Sequence, residues 1–202
     1  YLTSDYRIML ERSKEIIIGA AIMKQVLGGC PAVIGIEENK PEAIKVMQAS
    51  LAELQATAKG YDGISVMSLK KKYPQGGEKQ LIDAVMKRQV KSMGLPIDVG
   101  AVVQNVATSL AVYEAVQKNK PLIERVVTIT GKELKSTHNF MVRFGTSAES
   151  VLALAGGLPD GDVKLLNGGP MMGRAVVDVT APFIKGCSGI TVLSGSEAPR
   201  GK

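Results

Sequence analysis

The feature that most constrains the fold is a regular alternation of short apolar runs and helical patterns before residue 120. Residues 32–36 form a short, continuously apolar run, as in a buried parallel strand, and residues 64–69 form another strand-like run. Pro41 opens a helical pattern that continues to about residue 58. Helix, strand, helix, strand, loop and helix in this order predict an α/β layout around a parallel sheet.

The alternation of helices and strands extends to both sides of these residues. Residues 5–27 predict one helix, with Ser4 or Asp5 as its N-cap and Gly28 and Gly29 as its stop. Residues 99–103 are apolar and predict a further strand. A helix then follows and runs to Lys118.

After residue 121 the pattern changes to short, closely spaced strands around one short helix. This change predicts a small α+β domain such as a β-grasp, with the boundary near Pro121. The expected division is an α/β domain over residues 1–120, the β-grasp domain over 121–197 and a linker tail over 198–202. The expected strands are 125–130, 139–144, 163–166, 175–179 and 189–193, and the expected helix is 148–155.

Charge is concentrated in one segment. The chain has 202 residues and a net charge of +6, and seven bases but only two acids lie between residues 70 and 91. A solvated basic face is one interpretation. Nucleic-acid binding is less favoured, because Tyr73 is the single aromatic residue of the segment and no nucleic-acid motif is present. Positive potential around an anion site fits better. The bases are Lys70, Lys71, Lys72, Lys79, Lys87, Arg88 and Lys91.

A glycine pair, Gly76 and Gly77, lies inside this basic segment, between the strand 64–69 and a helical pattern. Glycines let the backbone come close to a ligand, and a helix start offers unpaired N–H groups with a positive dipole end. Ligands of open α/β sheets bind at the carboxyl ends of strands. The segment therefore predicts a seat for a phosphate or another anionic cofactor, with a simple turn as the alternative.

Two further loops carry polar or glycine-rich sequence. Gln104, Asn105 and Thr108 follow the expected strand 99–103, where they could form a second pocket wall. Asn105 could equally be only a helix N-cap. Residues 168–173 could form a ligand loop, although a tight turn is the favoured interpretation.

Several function classes lose support from composition. Cys30 and Cys187 lie far apart and cannot by themselves form a zinc or iron–sulfur site, so both are expected to be buried thiols. His138 is the only histidine and is expected to be exposed or structural, which removes most support for triad hydrolysis. No apolar run approaches the roughly 20 residues of a membrane-spanning helix.

Four motifs occur in a fixed order along the chain. They are residues 1–9, YLTSDYRIM; residues 72–81, KYPQGGEKQL; residues 103–106, VQNV; and residues 168–173, GGPMMG. Together they resemble the C subunit of the Rnf electron-transport complex, a membrane-associated ferredoxin:NAD oxidoreductase. That family is in turn similar to the flavoprotein subunit of respiratory complex I, with a Rossmann-like flavin domain, a soluble-ligand-binding β-grasp domain and an iron–sulfur region.

The resemblance implies an FMN and NADH pocket lined by Tyr73, Gly76 and Glu78, with Gln104, Asn105 and Thr108 on the other side of the flavin. It implies no catalytic side chain and no metal ligand within this chain. Gly77 and Gln104 depart from the residues usual in the complex I flavoprotein. The full set of expected cofactor-binding residues is Tyr73, Gln75, Gly76, Gly77, Glu78, Lys79, Gln104, Asn105 and Thr108.

The resemblance further implies that the family's glycine-rich flavin loop lies before Tyr1 and its iron–sulfur cysteines after Lys202. The chain is therefore expected to be a central fragment with an incomplete pocket and no independent activity. The implied whole protein passes electrons between NAD(H) and ferredoxin through FMN and iron–sulfur centres, in an ion-translocating membrane complex.

Its expected partners are other subunits of that complex and, through the complex, ferredoxin, with no nucleic acid and no membrane span of its own. Its expected location is cytoplasmic, peripheral on the cytoplasmic face of the inner membrane. A cobalamin-reductase-like flavoprotein and a non-catalytic docking module of a redox complex are the alternatives.

Overall fold

The chain forms two compact units in the structure, a computed structural model that describes residues 1–198. One unit is Ile8–Pro121, and the other combines Tyr1–Arg7 with the chain from Leu122 onward. The domain ranges expected from the sequence remain predictions, and they differ from these units at the start of the chain. The expected linker tail falls largely on residues 199–202, which lie outside the described residues.

Hydrogen bonds explain why the first residues belong with the later part of the chain. The backbone N–H groups of Thr3 and Ser4 donate to Thr128 Oγ1 at 3.1 and 2.9 Å. The same hydroxyl donates to Asn139 Oδ1 at 2.7 Å, and Asn139 Nδ2 donates to Thr3 Oγ1 at 3.0 Å. The bonds made by Thr3 and Ser4 join residues more than 120 positions apart, so local sequence patterns give no sign of them.

The unit Ile8–Pro121 is an α/β structure built around a parallel pair of strands. β1 and β2 pair in parallel with Ala32 opposite Ile64, as the alternation predicted. Ile16, Ile17 and Met47 are almost completely buried in its core. The first helix begins in residues that belong to the other unit and ends in this one. The elements are α1 Ser4–Glu11, α2 Ser13–Val26, β1 Ala32–Glu37, α3 Pro41–Thr57, β2 Ile64–Leu69, α4 Glu78–Met86, a 3-10 turn at Pro96–Val99 and α5 Val106–Lys118.

The single helix predicted over residues 5–27 is two helices, because the backbone of Arg12 leaves helical geometry at φ −131° and ψ 33°. The Arg12 guanidinium donates to Glu15 at 2.8 Å. This hydrogen bond raises the pKa of Arg12, although burial of the guanidinium acts in the opposite direction. Ser13, the first residue of α2, is buried with its hydroxyl 2.7 Å from that of Ser50. Both segments keep one helical periodicity, so the sequence pattern does not reveal the break.

The strand predicted over residues 99–103 is wrong. Pro96–Val99 instead forms a 3-10 turn, whose first residues are held by a hydrogen bond from Leu95 N to Asp98 Oδ2 at 2.8 Å. Gly100 follows in the left-handed region at φ +71°, which interrupts any extended run. The apolar residues that suggested a strand therefore belong to a turn and an irregular connection.

The other unit has the β-grasp arrangement that the sequence predicted. Two hairpins, β3–β4 and β5–β6, lie before and after one helix, and the last strand runs parallel to the first between them. The strand order is β4-β3-β7-β5-β6. The elements are β3 Glu124–Thr130, β4 His138–Arg143, α6 Ala148–Leu154, β5 Val163–Asn167, β6 Arg174–Val176 and β7 Gly189–Ser194.

The hydrophobic core of this unit lies between the sheet and α6. Val127 and Ile129 of β3 are fully buried, and Val151 and Leu152 of α6 are 2% exposed. Burying one such side chain contributes roughly 1.5–3 kcal/mol. The unit thus has its own core, as an independently packed domain requires.

The two cysteines differ in exposure, so the expectation that both are buried is wrong for Cys30. Cys30 lies directly after the glycines that end α2, where it is exposed. Cys187 is 2% exposed, and burial raises its pKa. His138 is exposed, as expected, and contacts the hydroxyl of Ser136.

This difference predicts selective labelling. A thiolate is the reactive form, so Ellman's reagent should modify Cys30 of the native protein quickly and leave Cys187 unmodified until the protein unfolds. Cys30→Ser should therefore remove the fast phase, whereas Cys187→Ser should leave it unchanged. Two equally fast thiols in the native protein would contradict the structure.

The described part of the chain, residues 1–198, lacks two features. No helix there is long and apolar enough to cross a membrane. No cluster of three or more His, Cys, Asp or Glu side chains there could hold a metal ion.

Candidate functional site

An open cleft of about 790 Å³ lies where β2 leads through the basic segment into α4. Its walls come from the end of β2, the connecting loop, α4 and the residues just after α4. This is the position at which open α/β sheets bind ligands. The lining residues are Met67, Ser68, Leu69, Lys70, Lys72, Tyr73, Pro74, Gln75, Lys79, Gln80, Asp83, Ala84, Lys87, Gln89 and Val90.

The loop that begins the cleft is tied to the neighbouring strand. Glu38, just after β1, accepts a hydrogen bond from the backbone N–H of Lys71 at 3.2 Å, and its own N–H donates to Leu69 O at 2.8 Å. Gln75 N donates to Lys72 O at 2.8 Å and closes a turn within the loop. No sequence motif singled out Glu38, although its position after an apolar strand was a usable signal.

The seven bases of the segment are not neutralised by neighbouring acids. Within residues 1–198 none of them forms an ion pair. Lys70, Lys72, Lys79 and Lys87 line the cleft, whereas Lys71, Arg88 and Lys91 do not.

Hydrogen bonds to backbone carbonyls hold three of these cations, and two of the three, Lys79 and Lys87, line the cleft. Lys79 Nζ donates to Lys91 O at 3.0 Å, Lys87 Nζ to Ala84 O at 3.0 Å, and Arg88 Nη1 to Val99 O at 2.8 Å. These bonds satisfy a donor without cancelling the charge. The cleft therefore has a positive potential, and hydrogen bonds fix the positions of some of the cations that produce it.

The first turn of α4 has no side-chain cap. Gly77 is its N-cap residue, with φ −68° and ψ 139°. A Cβ on Gly76 would meet nothing within 4 Å, whereas one on Gly77 would overlap the side-chain oxygen of Gln80. The loop thus leaves open space at Gly76 beside helix N–H groups that a ligand anion can approach.

Tyr73 and Gln75 differ sharply in their surroundings. The Tyr73 side chain is 79% exposed, and Gln75 is only 4% exposed although it lines the cleft. An exposed aromatic ring beside a basic cleft can pack against a planar ligand. Gln75 instead offers a neutral amide inside the wall.

The predicted site residues fall into three groups. Tyr73, Gln75 and Lys79 line the cleft. Gly76, Gly77 and Glu78 form the loop and the first residue of α4 beside it. The third group, Gln104, Asn105 and Thr108, does not line this cleft, so their joint role with the loop stays a prediction.

Asn105 has the simpler of its two expected roles in the structure. Its Oδ1 accepts a hydrogen bond from Ala107 N at 2.8 Å, so it caps α5. Residues 168–173, in the other unit, form a tight turn in which Gly173 N donates to Gly169 O at 2.7 Å. Thr191 Oγ1 donates to Gly168 O at 2.7 Å and fixes the start of that turn.

Comparison with known proteins shows the family to which the chain belongs. Residues 1–114 match the family model described as the Nuo51 FMN-binding domain, and the chain belongs to that family. The resemblance to the C subunit of the Rnf complex is confirmed by relatives that match the whole chain.

One relative, the C subunit of the proton-translocating ferredoxin:NAD(+) oxidoreductase complex of Clostridium ljungdahlii, is 44% identical over 204 residues. Another, the C subunit of the ion-translocating oxidoreductase complex of Rhodobacter capsulatus, is 37% identical over 202 residues. Each alignment covers all of this chain, which spans only 42% and 38% of the respective relatives.

A solved structure shares the fold. A chain of the NAD+-reducing [NiFe]-hydrogenase in the H2-reduced state superposes with a TM-score of 0.79 at 15% identity, over 96% of this chain and 38% of that one. At this identity the likeness concerns the fold. It agrees with a Rossmann-like α/β part followed by a second, mixed sheet.

Proposed function

We propose that this chain carries the FMN- and NAD(H)-handling part of an electron-transfer protein. The observation that carries the proposal is the basic cleft at the β2–α4 junction, in a chain that belongs to an FMN-binding-domain family. The wider role is passage of electrons between NAD(H) and ferredoxin, through FMN and iron–sulfur centres, in an ion-translocating complex. This role places the whole protein on the cytoplasmic face of a membrane, beside other subunits.

The residues of the cleft fit a phosphorylated, planar cofactor. A volume of about 790 Å³ lies within the range of roughly 300–1,000 Å³ that is common for ligand sites. Phosphate requires cations or helix N–H groups, and the cleft offers Lys70 and Lys72 beside the uncapped start of α4. Open space at Gly76 lets a ligand approach the backbone.

The chain's own residues bind and orient rather than react. Lysine side chains attract the anionic groups, and the Glu38–Lys71 bond holds the loop that carries them. Tyr73 supplies an exposed ring for packing, and Glu78 supplies a carboxylate at the first turn of α4 that can accept bonds from ligand hydroxyls. The redox chemistry, hydride acceptance from NADH and onward electron transfer, is supplied by the flavin when it is bound.

A valine at Gly76 tests this use of the loop. The added side chain would occupy the open space at the backbone without meeting another residue within 4 Å at its Cβ. We expect Gly76→Val to reduce flavin content and NADH oxidation with an artificial acceptor by roughly tenfold or more. Loss of one hydrogen bond from the backbone to a charged ligand group costs about 1.5–3 kcal/mol, and each 1.4 kcal/mol lowers affinity about tenfold.

The full-length protein is the material for this experiment, because the chain spans only part of its relatives' length. Gly186→Val is the matched control, since a Cβ there also meets nothing within 4 Å but the residue lies in the other unit. Normal flavin content and NADH oxidation in Gly76→Val, with the fold intact, would favour a non-catalytic docking module whose basic loop is a solvated surface.

A further inference from the structure

Gln75 is a buried polar residue whose side chain has no partner within the described chain. It is 4% exposed, and within residues 1–198 only its backbone N–H takes part in a hydrogen bond, to Lys72 O at 2.8 Å. A glutamine amide can donate two hydrogen bonds and accept two. The Gln75 nitrogen and oxygen form none of them within the described residues, yet each keeps a small solvent-accessible surface, so a ligand in the cleft can reach both.

The position of Gln75 indicates a ligand rather than a structural partner. It lines the cleft between Pro74 and Gly76, next to two residues that can contribute no long polar side chain. The cations of the same cleft already supply what a phosphate requires. A neutral amide adds little to phosphate binding, but it can pair with a neutral group that offers both a donor and an acceptor.

We infer that Gln75 is the specificity-determining residue of this cleft, reading an amide or imide edge of the ligand by hydrogen bonds. This inference rests on the proposed function, under which two ligand groups share that chemistry. One is the imide of the flavin ring, and the other is the carboxamide of NADH. Buried hydrogen-bonding groups discriminate strongly, because an analogue without the matching group leaves them unpaired.

The decisive variant is Gln75→Met, which keeps the length of the side chain and removes its polar end. In the unliganded full-length protein, methionine removes no hydrogen bond within the described residues, because the Gln75 amide forms none there. The melting temperature should therefore stay within about 2 °C of the wild-type value. Ligand affinity should fall roughly tenfold, because the hydrogen bond to the ligand is lost. Reduced affinity with unchanged stability is the signature of an amide that binds a ligand.

Two titrations distinguish the sources of the recognised group. FMN is titrated into flavin-free protein, and NADH is compared with its 3-acetylpyridine analogue, which lacks the carboxamide N–H, in flavin-loaded protein. Weaker FMN binding by Gln75→Met assigns the amide to the flavin imide. Unchanged FMN binding, with weaker NADH binding and loss of the preference for NADH over the analogue, assigns it to the carboxamide.

Gln48→Met is the matched control, because Gln48 is an exposed residue of α3 and does not line the cleft. It should change neither affinity nor melting temperature. Equal affinity of Gln75→Met and wild type for both ligands would overturn the inference and leave the proposed function standing. A melting temperature clearly below that of Gln48→Met would overturn it too, because the amide would then be structural. A wild-type protein that binds neither ligand would refute the proposed function, and the inference with it.

Discussion

Valine in place of Gly19 is expected to destabilise the unit Ile8–Pro121 by about 3 kcal/mol or more, at the upper end of overpacking effects. A Cβ on Gly19 of α2 would overlap the backbone carbonyl oxygen of Ser109 in α5 and lie 2.7 Å from the carbonyl carbon. Ser109 Oγ also donates to Ile16 O at 2.7 Å, which holds the two helices close together. A backbone group cannot rotate away as a side chain can, so the helices must separate.

Urea unfolding, together with hydrogen exchange of amides in α2 and α5, measures this effect. Gly186→Val is again the control, because its added Cβ meets nothing within 4 Å. Faster exchange should be confined to the unit that contains Gly19. A loss below about 1 kcal/mol for Gly19→Val would mean that α2 and α5 are not packed as closely as the structure shows.

Reversing two charges in the cleft should have the largest effect on binding. Lys70 and Lys72 line the cleft and have no acidic partner within the described residues, so Lys70→Glu with Lys72→Glu replaces attraction of an anionic nucleotide by repulsion. An ion pair at contact distance is worth about 1 kcal/mol in water and about 4 kcal/mol at a protein surface. NADH or FMN affinity should therefore fall at least about 100-fold at low salt.

Lys71→Glu with Lys91→Glu provides the matched control. It makes the same change in net charge in the same segment, but neither side chain lines the cleft. Its effect on affinity should be several-fold smaller and should nearly vanish at about 0.5 M salt, since screening removes interactions between distant charges. Equal losses for the two double variants would show that only the overall charge matters and that the cleft is not the binding site.

Local pattern was enough to predict most elements of the unit Ile8–Pro121. Pro41 at the first position of α3, the glycine stop after α2 and the apolar spacing of α4 all act between residues close together in the chain. The position of the glycine loop beside the cleft followed from the same reasoning, because a strand, a glycine pair and a helix occur in sequence. The basic cleft at that junction was therefore foreseeable in outline.

The predictions that were wrong required information about distant residues. An apolar run becomes a strand only where a partner strand is available, and Gly100 and the Pro96–Val99 turn place residues 99–103 elsewhere. Cys30 lies between a glycine stop and a strand, and its exposure depends on what packs over it. The resemblance to a family supplied candidate ligand residues, but it could not tell which lysines line the cleft.

The sequence by itself determined the order of helices and strands, the parallel pairing implied by their alternation, the β-grasp character of the later unit and the concentration of charge. These properties depend on periodicity, capping and composition, which act over a few residues. Only the tertiary structure decided that Gln75 is buried without a partner in the described chain, that Lys70 and Lys72 line the cleft while Lys71 does not, and that Tyr1–Arg7 packs with β3. Burial and pairing are set by contacts between residues far apart in the chain, and no local pattern records them.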